Sequence, residues 1–206
     1  MAVKAVFFDV GETLSNEAPG WAELARRAGM EPHVVWAAVG VVIERRQHHR
    51  AVFELLGREH PGWSTIGWDG SELYPDAIPC LKALREAGYF IGIAGNAGGD
   101  VLEPFVERHG LDVDFIGSSS TLGVEKPAPG FFARLIEAGG AAPAETAYVG
   151  DRLDNDVVPA AEARMRAIFL RRGPWGYLQA SWPEAERAHA RIDSLAELQA
   201  VLHDEL

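Results

Sequence analysis

The sequence predicts an α/β fold, a doubly wound parallel sheet with a small helical domain inserted after its first strand. Three features point there. The apolar run AVFF at residues 5–8 stops abruptly at Asp9, with Gly11 close behind, the pattern of a short buried strand that ends in a turn. From residue 76 onward, helix-length stretches alternate with short apolar runs, the rhythm of βαβ units and therefore of a parallel sheet. Between these regions, residues 16–75 read as helical.

The insertion is expected to hold helices over 21–28, 32–48 and 50–58. The middle one places Val34, Val35, Ala38, Val41, Val42 and Arg45 at helical spacing, so it can bury one face. Pro61, Gly62, Gly67 and Gly70 then break the pattern, and the irregular stretch HPGWSTIGWDGSELYP closes the insertion. Beyond it follow helix 76–86, strand 89–94, helix 101–109, strand 115–118, helix 130–138, strand 146–149, helix 157–163 and strand 167–170. A short amphipathic helix over 194–202 ends the pattern. The core is thus expected in residues 1–15 and 76–206, and the helical domain in 16–75.

With 206 residues the chain can bury a sizeable core. Its net charge of -11 argues against nucleic acid and membrane surfaces as partners, because no basic stripe is available to neutralise phosphates along a polymer. A small anion held through a metal is compatible with that charge. The single cysteine, Cys80, lies among Ile78, Leu81 and Leu84 and reads as a core thiol, which rules out a disulfide framework within one chain. No run approaches the ~18 consecutive apolar residues of a membrane span. The start MAVKAVFFDV lacks a signal-peptide cleavage region, so a cytoplasmic location is expected. The terminal HDEL matches a retention address of secreted chains and is read here as incidental.

Ligands of open parallel sheets bind beyond the C-terminal ends of the strands, and the polar residues collect at those ends. Asp9 follows the first strand and is the candidate nucleophile or metal ligand. Gly95, Asn96, Ala97, Gly98 and Gly99 follow the second, where backbone amides at a helix start, joined by the Asn96 amide, suit a small anion. Taken alone, that stretch reads as a glycine turn capping a helix. Lys126 stands after the third strand and is one of only three lysines in the chain. By itself it reads as a solvated lysine. After the fourth strand come Asp151, Asp154 and Asp156 in YVGDRLDNDVVPA; carboxylates gathered beside Asp9 would repel one another unless a cation or a raised pKa relieves them. An all-oxygen set favours a hard metal, most simply Mg²⁺, while Asp154 is accounted for as an acid at a helix start.

In this order DVGETL, AGN, EKP and GDRLDND resemble the four motifs of the haloacid dehalogenase (HAD) superfamily, over nearly the whole chain and with a helical cap after the first motif. The resemblance implies a Rossmann-like core and, in most members, an aspartyl-phosphate mechanism on a small phosphorylated substrate. Asp9 would attack phosphorus and Lys126 would steady the charge. Asp9, the Gly11 carbonyl and Asp151 would hold Mg²⁺ with Asp156 in support. Thr13 would help fix the nucleophile loop, and Gly95, Asn96 and Ala97 would surround the phosphate.

Two positions depart from the family pattern. Where phosphatases carry a second aspartate as general acid and base, this chain has Gly11, and where they offer a hydroxyl before Asn96 it has Gly95. Glu12 is a candidate for the displaced acid, although neighbours in an extended loop face opposite ways. General acid–base help is worth about 10² to 10⁴ in rate, so its loss alone leaves nucleophilic attack possible. The alternatives are a 2-haloacid dehalogenase-like hydrolase and a catalytically weak binding protein. The phosphonate-cleaving branch needs a cap lysine, and residues 16–75 contain none. The cap cations are Arg26, Arg27, Arg45, Arg46, Arg50 and Arg58, and RRQHHR reads either as a contact for a second anionic group or as a solvated helix face. Trp21, Trp63 and Trp68 read as packing for the cap.

Overall fold

The computed structural model describes residues 2–62 and 73–203. Among them, six strands form one all-parallel sheet: β1 (Ala5–Phe8), β2 (Phe90–Gly95), β3 (Phe115–Ser118), β4 (Thr146–Gly150), β5 (Arg166–Leu170) and β6 (Ala190–Ile192). Their spatial order is β3-β2-β1-β4-β5-β6. The chain therefore winds outward from β1 in one direction and then returns to its other side. The switch lies between β1 and β4, where such sheets open a crevice for ligands. Phe8 pairs with Ile93 on one side and Val149 on the other, so Asp9 emerges level with the tips of both neighbouring strands.

The helices are α1 (Ala18–Arg27), α2 (Pro32–Glu44), α3 (Ala51–Leu55), α4 (Ala77–Glu86), α5 (Gly99–Arg108), α6 (Ser119–Leu122), α7 (Pro129–Gly139), α8 (Val158–Glu162), α9 (Gly173–Gln179) and α10 (Leu198–His203). Successive strand residues point to opposite faces, and here both faces are apolar. Val6 and Phe8 join Ile91, Ile93, Val149 and Ile168 under α4, α5 and α10. Ala5 and Phe7 join Tyr148, Ala167 and Phe169 under α7 and α8. Cys80 lies buried in the first of these clusters, as a core thiol should.

A third cluster belongs to the inserted helices: Trp21, Leu24, Val35, Val39, Val42 and Phe53 pack around Trp175 of α9. The ring centres of Trp21 and Trp175 are 6.2 Å apart. The insertion therefore shares an apolar core with a helix of the main body. Trp63, Trp68 and the rest of residues 63–72 fall outside the described residues, as does the end of the HDEL tail.

Four local expectations change. The helix expected over 32–48 stops at Glu44, because Arg46 turns to φ 55° and sends its guanidinium to Glu184 at 2.7 Å and over the Trp182 ring at 4.1 Å. Arg46 thus bridges to Glu184 while its side chain stays 56 % exposed, in keeping with the solvated reading of RRQHHR. The helix expected over 50–58 shortens to α3, with Gly57 at φ 64° just past its end. The helix α9 escaped notice because Gly173, Pro174 and Gly176 read as turn residues. Strand β6 has three residues, too few for a periodic signal.

The two ends of the insertion are tied together where they leave the core. Ser15 bridges Gly11 and Leu73, and the Tyr74 N–H donates to Leu14 O at 2.9 Å. Arg172 then clamps both ends: it donates to Thr13 O at 2.9 Å, pairs with Asp76 and lies over the Tyr74 ring at 4.1 Å. Burial opposes ionisation of Asp76, but Arg172, the Ser194 hydroxyl and the Leu195 N–H more than offset it and lower its pKa. Arg172→Ala should therefore destabilise the fold by about 3 kcal/mol in urea unfolding, the cost of stripping one partner from a largely buried ion pair. A loss of less than about 1 kcal/mol would mean that the pair behaves as a surface contact.

Candidate active site

Asp9, Asp151 and Asp156 meet at the switch point, each offering a carboxylate oxygen within 4.8 Å of the others. Each arrives by a separate route. Asp9 ends β1, and its N–H donates to Val149 O at 2.9 Å, which holds it level with β4. Asp151 follows β4 directly. Asp156 returns to the same place through a π-helical turn over Leu153–Val157, in which one extra residue rotates the side chain back toward the sheet. Gly150 makes this approach possible, since a Cβ there would stand 2.5 Å from the Asp156 carboxyl carbon.

Lys126 lies at the centre. Its Nζ donates to Asp9 Oδ1 and to Asp156 Oδ1, both at 2.6 Å, and sits 5.4 Å from the centre of the Tyr148 ring. The residue is 3 % exposed, so the solvated-lysine reading does not hold. Burial works against its charge, but Asp156 and Asp9 raise its pKa well above the ordinary value and keep it protonated. Asn96 fixes its loop with two bonds: Lys126 N–H to Asn96 Oδ1 at 2.8 Å, and Asn96 Nδ2 to Lys126 O at 2.9 Å. Part of the Asn96 amide is thus committed to positioning the lysine, leaving one of its two amide hydrogens for a ligand.

Asp151 is 2 % exposed, and burial together with Asp156 and Asp9 raises its pKa well above the usual carboxylate range. Asp156 is raised by burial as well, with Lys126 pulling in the opposite direction. Three carboxylates around one ammonium leave an excess of negative charge in a buried, all-oxygen pocket. That donor set fits a hard divalent cation. Asp154 lies apart, held by Arg152 at 2.7 Å and by Gln179 Nε2 at 3.1 Å, which agrees with a structural role.

The other sequence candidates are placed as follows. Gly95 is buried beside Asp9, and a Cβ there would stand 3.1 Å from Asp9 Oδ1. Ala97 accepts from the Ser119 hydroxyl at 3.2 Å, joining the second strand tip to the third. Thr13 is fully buried, and its hydroxyl has no hydrogen-bond partner among the described residues. Gly11 follows Asp9 in a tight loop, with the Glu12 N–H donating to Ser15 O at 2.7 Å. Glu12 takes φ 50°, and both its oxygens are engaged, Oε1 by the Glu17 N–H at 2.9 Å and Oε2 by the Tyr74 hydroxyl. Its pKa is raised by burial against these bonds and Arg172.

Sequence reading overlooked Glu17, Tyr74, Arg152 and Arg172. The first is the most consequential. Glu17 is partly buried, and burial together with Glu12 and Asp9 raises its pKa to about 7, opposed by Trp21 and Arg152. On the cap side, His48 and His49 come close enough to Arg152 to feel its charge, and burial first, then His48, Arg152 and Arg50, push His49 down to about 3.

A carboxyl whose pKa rises on folding binds more protons in the folded state, so its contribution to stability falls as pH climbs from about 4.5 to about 7. In the metal-free protein, Glu17→Gln should raise stability by about 1–2 kcal/mol at pH 8, a discounted share of the pKa rise, and leave it unchanged at pH 4. Thermal melts at the two pH values check this. Equal effects at both would contradict the shifted pKa.

The chain is similar to the glyceraldehyde 3-phosphate phosphatase of Methanopyrus kandleri, at 32% identity over 84% of this chain and 86% of the relative. It is similar in structure to an HAD phosphatase from Thermococcus onnurineus, with a TM-score of 0.65 and 26% identity, covering 98% of this chain and 99% of the other. A predicted phosphoglycolate phosphatase from Haemophilus somnus shares the fold at a TM-score of 0.75 and 20% identity, over 98% of each chain. Residues 3–164 match the haloacid dehalogenase-like hydrolase family, and the chain belongs to it.

Proposed function

We propose that the protein is a Mg²⁺-dependent phosphatase that acts on a small phosphorylated compound, with Asp9 as nucleophile. One observation carries this reading. Of the three clustered carboxylates, Asp9 alone keeps appreciable contact with solvent, its side chain being 12 % exposed against 0 % for Asp156, while Asp151 is 2 % exposed as a residue. The exposed member is the one a substrate can reach. Lys126 holds one Asp9 oxygen, which fixes the carboxylate for attack through the other.

In this reading Asp9 attacks phosphorus, the bond to the leaving oxygen breaks, and water then cleaves the aspartyl-phosphate to release inorganic phosphate and restore Asp9. Lys126 balances the negative charge shared by Asp9 and the phosphoryl group. The remaining Asn96 amide hydrogen and the backbone around Ala97 supply donors for the phosphate. Mg²⁺ would be held by Asp9, Asp151 and the Gly11 carbonyl with Asp156 in support, and when bound it supplies Lewis-acid stabilisation of phosphoryl charge. Glu12, with both oxygens committed, holds the loop and both ends of the cap in register. The name of the Methanopyrus relative, a phosphatase of a small phosphomonoester, supports the same substrate class.

Aryl phosphate hydrolysis, which needs little leaving-group protonation, is the direct test. Turnover should require Mg²⁺, disappear with chelator and return on adding the metal back. Asp9→Asn should reduce it at least about 10³-fold, since the nucleophile itself is lost. Metal-independent turnover, or turnover that survives Asp9→Asn, would overturn the proposal.

A further inference from the structure

The side chain missing at Gly11 is replaced in space by another. A Cβ built on Gly11 would stand 2.2 Å from Glu17 Oε1 and 2.7 Å from its carboxyl carbon. The left-handed backbone that favours glycine is absent at Gly11, so its conformation does not demand the lack of a side chain. What occupies the position is the Glu17 carboxylate.

The local chain explains how Glu17 gets there. Backbone N–H groups of Thr13, Leu14 and Ser15 all donate to Val10 O, which folds the loop after Asp9 back on itself. Ser15 then bridges to Gly11, and the Glu17 N–H is anchored on Glu12 Oε1. Glu17 is the residue that precedes α1, yet its side chain makes no capping bond to that helix. It turns toward the nucleophile loop instead. Glu12, the candidate from sequence, has each oxygen in a hydrogen bond, one from the Glu17 N–H and one from the Tyr74 hydroxyl.

We propose that Glu17 is the general acid and base of this enzyme, its carboxyl group standing in for the one absent at Gly11. This rests on the phosphatase reading above. As the bond between Asp9 and phosphorus forms and the bond to the leaving oxygen breaks, Glu17 gives its proton to that oxygen. In the second step it takes a proton from the water whose oxygen bonds to phosphorus, and Asp9 departs as carboxylate. The two transfers balance, and Glu17 ends protonated as it began.

The test compares glycerol phosphate, with a poor leaving group, and p-nitrophenyl phosphate, with a good one, in wild type, Glu17→Gln, Glu17→Ala and the double variant Gly11→Asp with Glu17→Ala. Glu17→Gln should lower kcat on glycerol phosphate by about 10² to 10⁴ with little change in KM. On p-nitrophenyl phosphate it should keep a rapid burst of one nitrophenol per enzyme, then turn over slowly as the phosphorylated enzyme accumulates. The double variant puts a carboxyl back on Gly11 in the space that Glu17 vacates, and should regain at least tenfold in kcat over Glu17→Ala.

Unchanged kcat in Glu17→Gln would overturn the proposal. So would equal losses on both substrates with no burst and no recovery in the double variant, the signature of a purely structural residue. If wild type shows no Asp9-dependent turnover of either substrate, the phosphatase reading itself falls and takes this proposal with it. That result is distinguishable, because it appears before any change at Glu17.

Discussion

The site depends on one buried ammonium. Lys126 stands between Asp9 and Asp156 at 2.6 Å from each, in a place where neither carboxylate has much access to water. Without that charge, Asp9, Asp151 and Asp156 would be three buried anions in mutual contact, an arrangement that protonation or local unfolding would relieve. A buried lysine is costly in turn, and the structure meets that cost by fixing its position. Asn96 bonds its backbone on both sides, and the ring of Tyr148 lies beneath it, with the Tyr148 hydroxyl donating to Ala94 O at 2.9 Å. The four strand tips are thereby coupled through a single residue, its backbone to Asn96 and its side chain to Asp9 and Asp156.

Around this centre the ends of the cap form a second layer of constraint. Arg172, from the loop after β5, reaches the nucleophile loop through Thr13 O and the cap exit through Asp76. Tyr74 donates to Glu12, and Glu12 accepts from the first residues of the cap through the Glu17 N–H. Nucleophile loop, cap entry and cap exit are therefore one hydrogen-bonded unit. Its consequence is that Glu17, at the entry to the inserted helices, is brought beside Gly11 in the loop after Asp9.

The fold was legible because it is local. The run into Asp9, the alternating strands and helices, and the order of polar tips all leave short-range patterns, and β1 to β5 lie where those patterns put them. The site was legible in part for the same reason, since Asp9, Asn96, Lys126 and Asp151 each follow a strand. Lys126 looked like a surface residue because its partners lie 117 and 30 positions away. Arg172 and Thr13 are separated by 159 positions, and nothing near Arg172 marks it as a clamp. Glu17 was hidden differently. It is close to Gly11 in sequence, but only the turn stacked on Val10 O reverses the chain enough to bring the two together. The missing aspartate was visible, and its replacement required the backbone.

The most direct measurement is the chemical identity of the phosphorylated intermediate. Enzyme mixed with excess phosphomonoester and Mg²⁺ is quenched in acid during the first turnovers, digested and mapped by mass spectrometry. The account predicts one phosphoryl group on the peptide that contains Asp9, lost in Asp9→Asn. Turnover with the phosphoryl group on another residue, or on none, would contradict it.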